Sequence, residues 1–331
     1  MVLESVEALW AEEKLIGRTA LVEQFSALLS GAREIPAILL LGEEGMGKYF
    51  LARLFALALL LDLDVENPDS KQLESELNRQ IRQRFEQGSL SDYRRLEAAE
   101  GEKILPVADL RKRLAELDQR RPEMARRQVI FVDIEAVNES GQNSLLKTIE
   151  ESASDTVFIL VASRAESVLV TLRSRATCLQ LGPLSEAEID ALLEENQLSP
   201  AGSSEAFYAL CQGNPGRALV YAKTPELFAE REAIEALLRK YLQSPRGLAL
   251  AILYQEIQAS WRERSDFFLD SVREILHRWA RQDAASGLKR ASRINAAFSI
   301  IEATEAALKA HANPEIQWTA FCLELHEVLL G

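Results

Sequence analysis

The chain has 331 residues, a formal net charge of −13 and an isoelectric point near 5.0, with 47% hydrophobic and 27% charged residues. That length accommodates two or three domains around a sizeable core, and the acidic balance argues against a broad basic face wrapped round nucleic acid. A local basic patch on one component of a larger assembly remains compatible with it.

Met1-Val2-Leu3-Glu4-Ser5-Val6-Glu7 carries no basic n-region or cleavage pattern, so no secretory leader is expected and a cytoplasmic location is. Ile35–Leu41 is a short apolar run that ends in Gly42, the pattern of a buried parallel strand. Phe50–Leu61 follows as an apolar helix, too short to cross a membrane. A charged stretch from Asp69 to Arg127, with Arg111-Lys112-Arg113 and Arg120-Arg121, reads as solvated helices laced with ion pairs. The second reading of that stretch is a basic strip touching DNA or a neighbouring subunit. Gln128–Asp133 is a second strand, Ser140–Ser152 a helix, Thr156–Ala162 a third strand and Ala176–Leu181 a fourth. Strands and helices in alternation imply a parallel sheet covered on both faces.

Beyond Pro183 the pattern changes. Ser185-Glu186-Ala187-Glu188 is a capping box, and only helical periodicity continues to Gly331. Breaks fall at Gly213–Gly216, Pro225, Ser244-Pro245, Gly287 and Asn313-Pro314. The expected organisation is an α/β domain over 1–182, a small helical domain over 183–225 and a larger helical domain over 226–331. The three cysteines, Cys178, Cys211 and Cys322, lie far apart, which predicts semi-buried thiols in a reducing compartment and no metal site. Trp261, Trp279 and Trp318 fit helical packing positions, and His277, His311 and His326 lack a partner pattern.

The chemistry concentrates at Gly42-Glu43-Glu44-Gly45-Met46-Gly47-Lys48, which fits G-x-x-x-x-G-K between a strand and a helix. Gly42, Gly45 and Gly47 let backbone N–H groups close round a phosphate, and Lys48 either supplies a point charge for the outer phosphates or is a relic held by a local acid. The next residue, where a Ser or Thr hydroxyl would coordinate magnesium, is Tyr49. Asp133, at the end of the second strand, is the candidate magnesium-linked acid. It is followed by Ile134 instead of a water-polarising carboxylate, and Glu135 is expected to project to the opposite side. ATP hydrolysis at this site is therefore expected to be absent, with weak ATP or ADP binding at most and no cofactor required.

Several segments then share one likeness. Asn138–Glu151 resembles the N-E-x-x-x-N-x-L-L-K-x-x-E-E helix of clamp-loader subunits in the AAA+ family. Thr171-Leu172-Arg173-Ser174-Arg175-Ala176 resembles their arginine-finger segment, Gly213–Leu219 their sensor-2 segment with Arg217, and Ile16-Gly17-Arg18 their opening box. Asn313-Pro314-Glu315-Ile316 is similar to the end of their collar domain. Within the family the likeness is to the delta-prime type of the bacterial DNA polymerase III clamp loader.

The resemblance implies a RecA-like AAA+ domain, a helical lid and an all-α collar. It also implies a ring shared with gamma/tau-type ATPase subunits and a delta subunit, acting on a sliding clamp and primer-template DNA. In that setting Arg175 would be an arginine finger acting in trans, with Arg173 the alternative, and Arg217 would either reach a nucleotide phosphate or pair with an acid at the domain junction. The chain departs from the family in having no cysteine between Lys48 and Asp133, a short link from Asp133 to Asn138, Ala176 in place of cysteine and Ala162-Ser163-Arg164 at sensor 1. Two other readings remain: an active gamma/tau-type ATPase, and an AAA+-derived protein-binding adaptor outside replication.

Overall fold

The computed structural model describes residues 15–30, 36–61, 75–99, 102, 104–118, 122–125, 127–152, 155–261, 264–285, 291–310 and 312–330. The expectations for Met1–Glu7, Arg120-Arg121, Gly287 and His311 lie outside these residues. The described part divides into two compact units, one within Met1–Glu195 plus Gly213–Arg217, the other within Asn196–Gln212 plus Ala218–Gly331.

In the first unit the order is α1 (Thr19–Ser30), β1 (Ala37–Leu41), α2 (Lys48–Leu60), α3 (Glu76–Glu86), β2 (Tyr93–Leu96), α4 (Val107–Asp118), β3 (Gln128–Asp133), α5 (Glu139–Glu151), β4 (Thr156–Ala162), α6 (Val170–Arg173), β5 (Thr177–Gln180) and α7 (Glu186–Glu195). The sheet is parallel throughout, in the order β2-β3-β4-β1-β5. Its strands are apolar on both faces because both are covered. Ile38, Leu40, Val129, Phe131 and Ile159 pack on one side with Phe25, Leu54 and Phe55; Leu39, Ile130, Val132, Phe158 and Leu160 pack on the other with Leu110, Leu145 and Leu172. The alternation of neighbours along each strand follows from the two-residue period of the pleat. This is the RecA-like α/β arrangement that the resemblance implies.

One strand escapes sequence reasoning. β2 lies inside the stretch read as charged helices, where Tyr93-Arg94-Arg95-Leu96 pairs with Val129–Val132 at the sheet edge. An edge strand needs only one apolar flank, so two arginines are tolerated: Arg95 lies over the Phe131 ring, and Arg94 pairs with Glu116 at 3.9 Å. Beside this strand Asp92, 1% exposed, accepts hydrogen bonds from the backbone N–H groups of Glu123, Met124 and Ala125 at 2.7–2.8 Å. Asp92→Ala strands those donors and is expected to cost roughly 1.5–3 kcal/mol. Urea denaturation read by hydrogen exchange at β2 and β3 checks this; an unchanged midpoint would contradict it.

At the end of the sheet unit the capping box is formed. Ser185 N–H and Oγ both donate to Glu188 Oε2 at 2.7 Å, and Glu188 N–H returns to Ser185 Oγ at 3.3 Å. The bonds from Ser185 hold the Glu188 carboxyl below its ordinary value against a smaller opposing effect of burial, and the nearby Arg18 charge adds a lesser lowering. A depressed folded-state value means that the stabilisation is present above the unfolded value of about 4.3 and is lost as pH falls through the folded one. The stability gap between wild type and Glu188→Gln should therefore be full near neutrality and close in acid. A gap independent of pH would contradict the cause given.

The second unit is all-α: α8 (Ser204–Cys211), the later part of α9 (Pro215–Lys223), α10 (Pro225–Gln243), α11 (Arg246–Glu256), α12 (Ser265–Ala285), α13 (Ala291–Lys309) and α14 (Pro314–Leu330), with a π-turn over Ile257–Trp261. Tyr241, Leu253, Phe268, Trp318 and Phe321 centre its core. Trp318 and Trp261 are buried there, and Trp279 packs at its margin with Nε1 donating to Glu235 at 3.3 Å. His326 meets the Tyr241 ring edge-on, and His277 stacks on Phe298. Cys211 and Cys322 are fully buried, and burial pushes the Cys322 thiol up to about 12. Cys178 differs from the semi-buried expectation: it lies exposed on edge strand β5, where alternate side chains face outward. No helix among the described residues is long and apolar enough to cross a membrane.

Candidate functional site

β4 lies between β1 and β3, so three strand ends converge at one edge of the sheet, carrying Gly42, Ser163 and Asp133. Parallel sheets bind ligands at such carboxyl ends. The chain leaves β1 at Gly42, turns through Gly45 (φ 83°) and Gly47 (φ 85°), and enters α2 directly at Lys48. Positive φ at these two positions is why glycine is required there. No side chain caps α2, so its first N–H groups remain available to an anion.

Lys48 is 5% exposed, and its ammonium donates to the carbonyls of Gly42 (2.6 Å) and Glu43 (2.9 Å) and to Ser163 Oγ (3.3 Å). Backbone carbonyls and a hydroxyl hold it, where a local acid was one expectation. Burial lowers its pKa, against the raising effects of Glu135, Glu44, Asp133 and Glu43.

The magnesium half of the site is built differently. Tyr49 reaches past the position its shorter counterpart would occupy and donates its phenol to Asp133 Oδ2 at 2.6 Å. Asp133 Oδ1 accepts from Glu135 N–H at 3.1 Å, so both carboxylate oxygens are engaged. Burial, and then the bond to Asp133, raise the phenol pKa, so Tyr49 stays a neutral donor. The glycine loop and the open helix N-terminus would fit a phosphate, whereas the Asp133 carboxylate already takes the Tyr49 phenol where a metal would compete for it.

Glu135 corrects a sequence expectation. β3 stops at Asp133 and the chain curls through a 3-10 turn over Ile134–Ala136. The turn brings Glu135 round to accept from Ser163 N–H (2.8 Å) and Ser163 Oγ (3.1 Å), on the Lys48 side. In a continued strand Glu135 would share the face of Asp133, opposite Ile134; the turn sets it by a different route.

The segment Gly213–Arg217 packs on the P-loop. Asn214, 1% exposed, donates from Nδ2 to Glu44 O at 2.8 Å, and Gly216 N–H donates to Gly45 O at 2.9 Å. A Cβ at Gly216 would lie 2.8 Å from Gly45 Cα. Arg217 faces Glu43 of the loop at 4.0 Å. From the other side Arg18 bonds the carbonyls of Gly182 and, at 3.0 Å, Met46.

Away from this loop lies the arginine segment. Gln142, buried near the start of α5, donates to Val137 O and Ser167 O and accepts from Leu169 N–H, which fixes the approach to α6. Arg175 follows α6 with an exposed side chain; its Nε pairs with Glu150 and its Nη1 donates to Thr171 O at 3.2 Å. Arg173 Nε is buried and meets no hydrogen-bond partner among the described residues. Beside α5, Arg111 and Lys147 line a surface cleft of about 600 Å³ with Ser140 and Ser144, both bonded by Arg111.

The sequence model of a family described as DNA polymerase III, delta subunit, matches residues 17–185, just over half of the chain. A relative from Pseudomonas aeruginosa, DNA polymerase III subunit delta-prime, is 31% identical over 194 residues, covering 58% of this chain and 57% of its own length. The chain belongs to the delta-prime clamp-loader family. The delta-prime subunit of Escherichia coli is 33% identical over 144 residues, 40% of this chain and 43% of that protein. A Buchnera aphidicola gamma subunit is 28% identical over 178 residues, 54% of this chain and 46% of that protein. The match thus spans about half the length of these curated relatives. Among solved structures, a gamma subunit-related protein from Thermotoga maritima aligns over 92% of this chain and 99% of its own at 17% identity, with a TM-score of 0.46.

In this delta-prime family member the residues singled out from the sequence fall into two groups. Gly42, Gly45, Gly47, Lys48, Asp133 and Arg217 come together at the P-loop; Arg175 stands in the separate arginine segment. Sequence reasoning missed Asn214, Arg18 and Glu150. Each acts through a contact more than 20 residues away in sequence, and none carries a local pattern beyond the motif it sits in.

Proposed function

We propose that this delta-prime family member is a non-hydrolysing stator of a DNA polymerase III clamp loader, supplying Arg175 in trans to a neighbouring ATPase subunit. The Tyr49–Asp133 hydrogen bond carries the reading. It spends the acid that would hold magnesium, while an exposed arginine stands ready on another part of the same unit. A fixed guanidinium stabilises charge on a transferring phosphoryl group at no reorganisation cost, so a chain with a lapsed site of its own can serve a neighbour's.

In this proposal residues 183–225 serve as the lid and 226–331 as the collar that joins gamma/tau-type and delta subunits. The sliding clamp and primer-template DNA are engaged through the complex, and ATP or ADP binds this chain weakly if offered. The Arg111–Lys147 cleft is the local basic patch that the acidic net charge left open. The second reading, an active gamma/tau-type ATPase, draws on the retained Lys48 loop and the position of Glu135 beside it. ATP turnover by this chain alone, wild type against Lys48→Ala, separates the two: background from both supports the stator, and Lys48-dependent hydrolysis supports the ATPase.

A further inference from the structure

The last turn of α5 ends in Glu150-Glu151 with no basic residue in that turn. Carboxylates there oppose the helix dipole, which places its negative end at the C-terminus. The local cost is unrewarded within the helix, and the partner that Glu150 meets lies beyond it, on the guanidinium of Arg175.

The two side chains are 42% and 44% exposed, and an ion pair this open contributes little to folding. What it does fix is orientation. Arginine carries about 2 kcal/mol of rotamer entropy, which a long side chain reaching across an interface would otherwise lose on docking. Here Glu150 holds Nε, while Thr171 O at 3.2 Å and Ser174 Oγ at 3.5 Å take bonds from Nη1. Those bonds leave Nη2 as the edge with no hydrogen bond among the described residues. The carboxylate and the carbonyl sit on different elements, α5 and α6, and Gln142 ties those elements together. The guanidinium is thereby held by groups that are themselves held.

We propose that Glu150 is the positioning residue for Arg175, holding the guanidinium by its Nε so that Nη2 is presented to an anionic phosphoryl group on a neighbouring subunit. The inference rests on the arginine-finger reading above. Misplacing a catalytic group by about 1 Å costs on the order of 10²-fold, so loss of one of several restraints is expected to cost about 3–10-fold at the adjoining site.

The test is a double-mutant cycle in the loader reconstituted from gamma/tau-type, delta and this chain, reading kcat and KM for DNA-stimulated ATP turnover. Glu150→Gln should lower kcat with KM little changed, and Glu150→Asp, which keeps the charge, should recover part of it. Glu150→Gln combined with Arg175→Ala should fall no further than Arg175→Ala alone. If Arg175→Ala lowers kcat and Glu150→Gln does not, the positioning role is overturned and the finger reading stands. Losses that add, or a rate raised by Glu150→Gln, overturn it as well, since the carboxylate would then act elsewhere or sequester the arginine. Should Arg175→Ala leave kcat unchanged, both fall together. Equal assembly of all variants by gel filtration keeps misfolding out of the comparison.

Discussion

Arg175→Ala in a reconstituted loader is expected to slow ATP hydrolysis at the adjoining site by about 10³-fold or more, the lower end of what an arginine finger contributes. Overall turnover should then fall by at least that site's share, and further if the sites fire in sequence. The loss should appear in kcat, because the guanidinium acts on charge that develops in the transition state and adds little to ground-state binding. Assembly should survive. The side chain is 44% exposed and its ion pair with Glu150 is surface-screened, so the fold loses little when it is cut back. A loader that assembles and turns over normally with Arg175→Ala would remove the finger from this residue, and Arg173→Ala would be the next variant to measure.

The second large effect is a gain. Tyr49→Thr removes the phenol from Asp133 and returns a short hydroxyl to the first turn of α2. Magnesium-dependent ATP binding by the isolated chain is expected to tighten by about 10–100-fold, the range over which groups around a metal tune its affinity. The tightening should vanish in EDTA, because it arises from the metal half of the site and not from the glycine loop. Wild-type chain should show weak binding with little dependence on magnesium. Equilibrium dialysis with labelled ATP reads both. Equal affinities for the two proteins would mean that the Tyr49–Asp133 contact is not what closes the site.

Two strands with a continuous apolar run were legible to the residue, Gln128–Asp133 and Thr156–Ala162, while the strand ending at Leu41 starts at Ala37 and the one read as Ala176–Leu181 spans Thr177–Gln180. The P-loop was legible for the same reason, since its glycines, lysine and flanking elements are all local. Tyr93–Leu96 was not, because an edge strand carries a one-sided pattern and here two arginines cover it. Glu135 was misplaced because a strand of six residues gives no local sign that it will stop at Asp133 and turn.

The rest of the site depends on contacts that no spacing encodes. Tyr49 could be seen to lack a short hydroxyl, yet only the fold shows its phenol reaching Asp133, 84 positions on. Asn214 and Gly216 sat inside a motif noted for Arg217, and their grip on Glu44 and Gly45 follows from how closely two backbones approach. Glu150 lies in the Asn138–Glu151 segment noted for its likeness alone, and only the fold sets it against the Arg175 side chain.

In the proposed role this chain turns over no ATP itself and completes a site on its neighbour. The most direct measurement is the initial rate of ATP hydrolysis for this chain alone, for the gamma/tau-type ATPase with delta subunit alone, and for the three together on primer-template DNA. Background is expected from the first, a low rate from the second and a rise that saturates as this chain is titrated to stoichiometry in the third. Turnover by this chain alone at a rate matching the full assembly, or no rise on its addition, would contradict it.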